Sequence, residues 1–142
     1  MKATVVKLLF AGVLISMLSA CEHILSPREQ RREKALNVAT ETYRKLIRWG
    51  FFEQASKYLK AKEGEVLAPD LSGLSHYKIT GYYPSDQQRN DAGDEARVVT
   101  LIEYYDLDTG TARTLRDEQY WWYDEPTQHW YLGSSMPDLD KH

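Results

Sequence analysis

From residue 69 onward the chain is divided into aromatic and β-branched segments by connections that leave room only for antiparallel neighbours. That restricts its folding more than any other feature. Segments 76–83, 96–106, 111–123 and 129–134 are rich in Tyr, Trp, Val and Thr, the side chains that fit a pleated, half-buried surface. The connections are Pro84-Ser85-Asp86 running on to Gly93, then Asp108-Thr109-Gly110, then Asp124-Glu125-Pro126, all with turn chemistry. A parallel crossover needs a dozen residues or more, so the later strands form an antiparallel meander.

The preceding stretch has a helical period. Ser26-Pro27-Arg28-Glu29 offers a hydroxyl cap, a proline at the first helical position and a glutamate to close a capping box, so a helix is expected from Pro27. Leu36, Val38, Ala39, Tyr43, Leu46 and Ile47 then recur on one stripe, and Gly50 stands where a left-handed cap belongs. A second helix is expected over 51–61, with Phe52, Ala55, Tyr58 and Leu59 on one side, before Gly64 and Pro69 end it. Helices first and a meander afterwards predict an α+β domain, its N-terminal helices packed on a curved antiparallel sheet of about four strands. The length allows one core, placed at 27–137, with a short linker at 21–26 and a tail at 138–142.

Two local sequences carry resemblances. Arg48-Trp49-Gly50-Phe51-Phe52-Glu53 closing the helical pair, with Gln119-Tyr120-Trp121-Trp122-Tyr123 and His129-Trp130-Tyr131-Leu132 in the final hairpin, resembles the NTF2-like, cystatin-like cone family. The resemblance spans 34–137 and rests on the order and spacing of elements. It implies a long helix lying against a strongly curved sheet, in a superfamily of isomerases, dehydratases, small-ligand carriers and protein binders. No long strand is read ahead of Tyr77.

At the other end, Lys2 and Lys7 precede a nearly unbroken apolar run over 8–18 that ends in Leu18-Ser19-Ala20-Cys21. About 11 apolar residues fall short of the roughly 20 a membrane span needs, and the pattern has the three parts of an export signal. The tetrapeptide resembles the bacterial lipobox, which implies a diacylglycerol on the Cys21 thiol and removal of residues 1–20 as a signal peptide. Cys21 is the only cysteine, so no internal disulfide competes for it. Glu22, in place of the aspartate that marks inner-membrane retention in such lipoproteins, implies the inner leaflet of the outer membrane and a domain facing the periplasm. Loss of Lys2 and Lys7 with the leader takes the formal charge from −3 to −5. An acidic balance argues against nucleic acid as a partner. The expected partners are the membrane, through the lipid, and an envelope protein. Five residues after Cys21 reach about 17 Å, so the domain would sit close to the bilayer. Arg28, Arg31, Arg32 and Lys34, offset by Glu29 and Glu33, either rest on anionic headgroups or form a solvated helix face, and the second reading is preferred.

Chemistry is sparse. In 111–123 a two-residue period puts Leu115, Asp117, Gln119, Trp121 and Tyr123 on one face, which makes Asp117 the first candidate for a catalytic carboxylate inside a pocket. Glu103, sharing a face with Val99, Leu101 and Tyr105, is the second; pairing with Arg97 or Arg113 is the plainer role for either. His23, His76, His129 and His142 are scattered, so no metal is expected, and no Gly-x-Ser-x-Gly elbow or glycine-rich phosphate loop occurs, so no cofactor is expected. Ten tyrosines and four tryptophans, many in the strands, must place rings on both sheet faces while helices cover one. Tyr105, Tyr120, Trp122 and Trp130 are therefore expected as a binding surface, unless the tail 136–142 covers that face. The reading is a lipid-anchored, non-enzymatic interaction or accessory module; the alternative is a small-ligand-binding or isomerase-like domain with a pocket carboxylate.

Overall fold

The computed structural model describes residues 24–63, 65 and 67–140. Cys21, the leader, Glu22, Gly64, His23 and His142 lie outside the described residues.

Helix α1, Pro27–Arg48, begins as its sequence requires. The Glu29 amide donates to Ser26 Oγ at 3.3 Å and the Ser26 amide to Glu29 Oε2 at 2.6 Å, closing the capping box. It ends in a Schellman motif: Gly50, at φ 75°, donates to the Ile47 carbonyl at 3.1 Å, and Phe51 donates to the Leu46 carbonyl at 2.8 Å. The second helix, α2, is Phe52–Ser56, shorter than the expected 51–61. Beyond it the backbone leaves the helix to pair with the last strand. Lys60 N–H donates to the Leu132 carbonyl at 3.1 Å and Leu132 N–H to the Tyr58 carbonyl at 2.8 Å.

A single 3-10 turn, Leu74–His76, leads into four antiparallel strands in the order β1-β2-β3-β4: Tyr77–Arg89, Glu95–Asp106, Thr111–Asp124 and His129–Leu132. The fold is α+β with a curved sheet that does not close into a barrel. Strand β1 runs past the expected turn at Pro84 because two register shifts, between Ile79 and Gly81 and between Pro84 and Asp86, leave Thr80 and Ser85 unpaired. Each extra residue reverses which parity faces inward, so Ile79 and Tyr82 both reach the helix side, opposite Tyr104 and Ile102. Pro84 is tolerated because β1 is an edge strand and the missing N–H breaks no ladder. The turn comes at Asn90–Gly93, where Asn90 Oδ1 accepts from the Asp94 and Glu95 amides.

The core lies between α1 and the inner sheet face. Leu36, Tyr43, Ile47 and Ala55 meet Ile79, Val98, Ile102, Tyr104, Trp121, Trp130 and Leu132. The tail turns back onto this same side, with Met136 and Leu139 buried beside Ile47 and Ile79, and Tyr104 Oη donating to the Leu139 carbonyl at 3.0 Å. Over its described residues, to Asp140, it therefore does not cover the outer face. Long-range ties fasten α1 to the final hairpin. Arg28 and Arg32 both grip Glu125, at 2.5 and 2.6 Å, and Trp130 Nε1 donates to the Arg32 carbonyl at 2.9 Å. The Arg32 guanidinium also lies over the Tyr123 ring, 4.9 Å from its centroid.

Candidate functional site

Two recesses flank α1, one small and polar, the other larger and apolar. Gln119 organises the first. The Trp121 indole N–H can only donate, and it does so to Gln119 Oε1 at 3.0 Å. The amide is thereby turned so that Nε2 donates to Tyr82 Oη and to Asp117 Oδ2, both at 2.7 Å. Burial pushes the Asp117 carboxyl above the ordinary carboxylate range, partly opposed by the Gln119 bond. Burial likewise raises the Tyr82 phenol to about 12. Tyr43 Oη is buried with no hydrogen-bond partner among the described residues, and desolvation raises its phenol well above its ordinary value, helped by Tyr82 and Asp117.

In front of this cluster lies a recess of about 140 Å³ lined by Asn37, Thr40, Tyr82, Val98, Thr100 and Gln119, with Glu41 and Arg44 at the rim. That is room for a few water molecules at roughly 30 Å³ each. Arg44 Nη2 contacts Glu41 Oε1 at 2.7 Å and, with Lys45, lowers the Glu41 carboxyl to about 2. Asp117 itself does not line the recess; Gln119 and Tyr82 stand in front of it. Glu103 lies on the other side of the sheet, exposed, with the Tyr83 hydroxyl 3.4 Å away. The two carboxylates are thus on opposite faces. Of the arginines suggested as their partners, Arg97 pairs with Glu118 at 2.8 Å.

The second recess is a groove of about 430 Å³ between α1 and β4. Ala35, Val38 and Ala39 form its helical side, Tyr58 and Trp130 its floor, and Arg31 and Lys34 its cationic rim, with Gln128 and His129 closing the far wall. Val38 is 59% exposed there. Gln128 is held at φ 57°, a left-handed conformation uncommon outside glycine, with its N–H donating to the Asp124 carbonyl at 2.7 Å.

The four aromatic residues expected as one surface are dispersed. Trp130 is 2% exposed, because pairing Tyr123 with Trp130 puts it on the helix side. Trp122 is on the outer side but 7% exposed: its Nε1 donates to the Lys60 carbonyl at 2.7 Å, and the Lys60 ammonium sits over the Trp122 and Tyr131 rings. Tyr120 packs closely against Gly133. Only Tyr105 stays on the open face, at 38%, where Tyr83 and Leu101 join it. Among the described residues no group of three or more His, Cys, Asp and Glu is arranged to hold a metal, and no helix is long and apolar enough to cross a membrane.

Fold and recesses define an α+β domain with one long helix over a curved, four-stranded antiparallel meander and a cation-rimmed apolar groove beside that helix. No family model, curated protein or solved structure matches the chain.

Proposed function

We propose that the chain is an envelope lipoprotein, held by a diacylglycerol on Cys21 at the inner leaflet of the outer membrane and facing the periplasm, and that its domain is a non-enzymatic interaction or accessory module. The address rests on Leu18-Ser19-Ala20-Cys21. The module reading rests on the groove: its apolar floor and two cationic rim residues are the chemistry of holding a ligand. Labelling with radioactive palmitate tests the anchor. The wild type is expected to take up label and lose its leader, and Cys21→Ser to do neither; a labelled, normally processed Cys21→Ser protein refutes it. Crosslinking in intact envelopes followed by immunoprecipitation is expected to recover a reproducible partner, and repeated recovery of the chain alone counts against the module.

A second reading, a small-ligand-binding or isomerase-like domain of the NTF2 type, draws support from the buried Asp117–Gln119–Tyr82 chain behind the polar recess. A screen of small polar molecules by ligand-observed NMR tests it, with binding lost in Gln119→Leu. The reading fails if nothing binds, or if binding survives that change.

A further inference from the structure

The cations at the start of α1 divide into two sets. Arg28 and Arg32 are taken by Glu125, and Glu33 is taken by Arg89 at 3.3 Å. Glu29 closes the helix cap. Arg31 and Lys34 have no ion-pair or hydrogen-bond partner among the described residues, and both stand on the rim of the apolar groove. At three residues apart on a helix, their Cβ atoms are about 5–6 Å from one another, close enough to share one phosphate. Below them run Ala35, Val38 and Ala39, with Tyr58 and Trp130 opposite. The groove volume, about 430 Å³, falls in the range of roughly 300–1,000 Å³ in which small-ligand sites occur. A cationic end and an apolar trough match an anionic amphiphile.

Where such a ligand comes from follows from the tether, and here the inference rests on the anchor proposed above. Arg31 and Lys34 lie only about 6–10 Å along α1 from Pro27, at 1.5 Å per residue. The linker from Cys21 to Ser26 spans at most about 17 Å. An anchored domain therefore keeps the cationic end of the groove within reach of the leaflet holding it. We propose that the groove takes an anionic phospholipid of that leaflet, its phosphate between Arg31 and Lys34 and one acyl chain along Val38 and Ala39 toward Tyr58 and Trp130. The exposed Val38 is accounted for by this occupant.

The test uses the mature, lipidated chain reconstituted in phosphatidylcholine vesicles that carry a trace of phosphatidylglycerol with a photoactivatable group at the acyl terminus. After irradiation, adducts are mapped by peptide mass spectrometry. Adducts are expected on peptides carrying Val38–Ala39, Tyr58 or Trp130, more strongly than with the matching phosphatidylcholine probe. Arg31→Gln with Lys34→Gln should lower them roughly thirtyfold, the scale set by two cations at about 1 kcal/mol each. Val38→Asn, which adds no charge and leaves both cations in place, should lower them as well, while Lys45→Gln should not. Adducts confined to residues before Pro27, equal labelling by the neutral lipid, or labelling unchanged by the double substitution each overturns the assignment and leaves a polypeptide as the occupant to seek. The mass of the N-terminal peptide reports separately whether Cys21 carries lipid, so failure of the anchor is distinguished from failure of the groove.

Discussion

Trp121→Phe tests whether Gln119 is held in one orientation by the indole. Trp121 is fully buried, with edge contacts to Tyr43 and Tyr58 at centroid distances of 5.4 and 5.8 Å, and its N–H is the donor to Gln119 Oε1. Phenylalanine keeps a ring among the tyrosines but leaves that oxygen unpartnered inside the core. The amide cannot recover by flipping, because Oε1 would then face Asp117, which Nε2 now serves. An orphaned buried acceptor costs about 1–3 kcal/mol, and the smaller ring adds a packing loss. A total of about 2–4 kcal/mol is expected, a large share of the 5–15 kcal/mol typical of a domain. In thermal unfolding this is a fall of roughly 10 °C. The decisive measurement is a double-mutant cycle by urea denaturation with Gln119→Leu. With no amide oxygen to strand, Trp121→Phe should cost about 1–3 kcal/mol less in the Gln119→Leu background. Strict additivity of the two substitutions would refute the argument.

Three further outcomes are expected. Asp117→Asn keeps an oxygen for Gln119 Nε2. Because burial raises the carboxyl above 3.8 in the folded state, the native protein binds more protons than the unfolded one just above that pH, so the contribution is intact below 3.8 and lost as pH rises through the folded value. The variant should accordingly gain on the wild type as pH rises and match it in acid, as read from urea midpoints across pH; an advantage confined to acid is the contrary result. Ser26→Ala removes the side-chain half of the capping box and should cost about 1 kcal/mol in the same assay, with no loss pointing to a frayed start of α1. Gly133→Ala brings a methyl to 2.8 Å of Tyr120 Cδ1 and 3.1 Å of Trp122 Cδ1, and should cost about 1–3 kcal/mol, read as a lower melting temperature with a near-ultraviolet change in the aromatic signal.

The start of α1, its glycine cap, the antiparallel order and the α+β class are legible in the residues because each is set locally: by Ser26 and Glu29, by Gly50, and by the short connections around Gly110 and Pro126. The path of β1 is not. Pro84-Ser85-Asp86 has turn chemistry, and only membership of an edge strand lets it continue as a bulge. The dispersal of the aromatic residues has the same origin, since the face of Trp130 depends on which residue of β3 it pairs with, a tertiary fact. The period in 111–123 correctly places Asp117, Gln119 and Trp121 side by side. A search for carboxylates overlooks the amide between them, although a buried glutamine flanked by a donor-only ring and an acceptor is itself a sign of a fixed network. Glu125 is missed for a different reason: it lies in a turn, and its two arginine partners are 97 and 93 residues earlier.

That separation also governs when the domain can form. The contacts that seat α1 come from the β3–β4 turn and from Trp130, which lies 98 residues beyond the helix carbonyl it binds. Until that stretch is available, α1 has an apolar stripe with little to cover it, and the sheet lacks its last strand. Closing so long a loop loses entropy before the contacts that offset it are made. A growing polypeptide of this sequence can therefore pair its first strands early, yet it cannot seat α1 until the β3–β4 turn and Trp130 have been made.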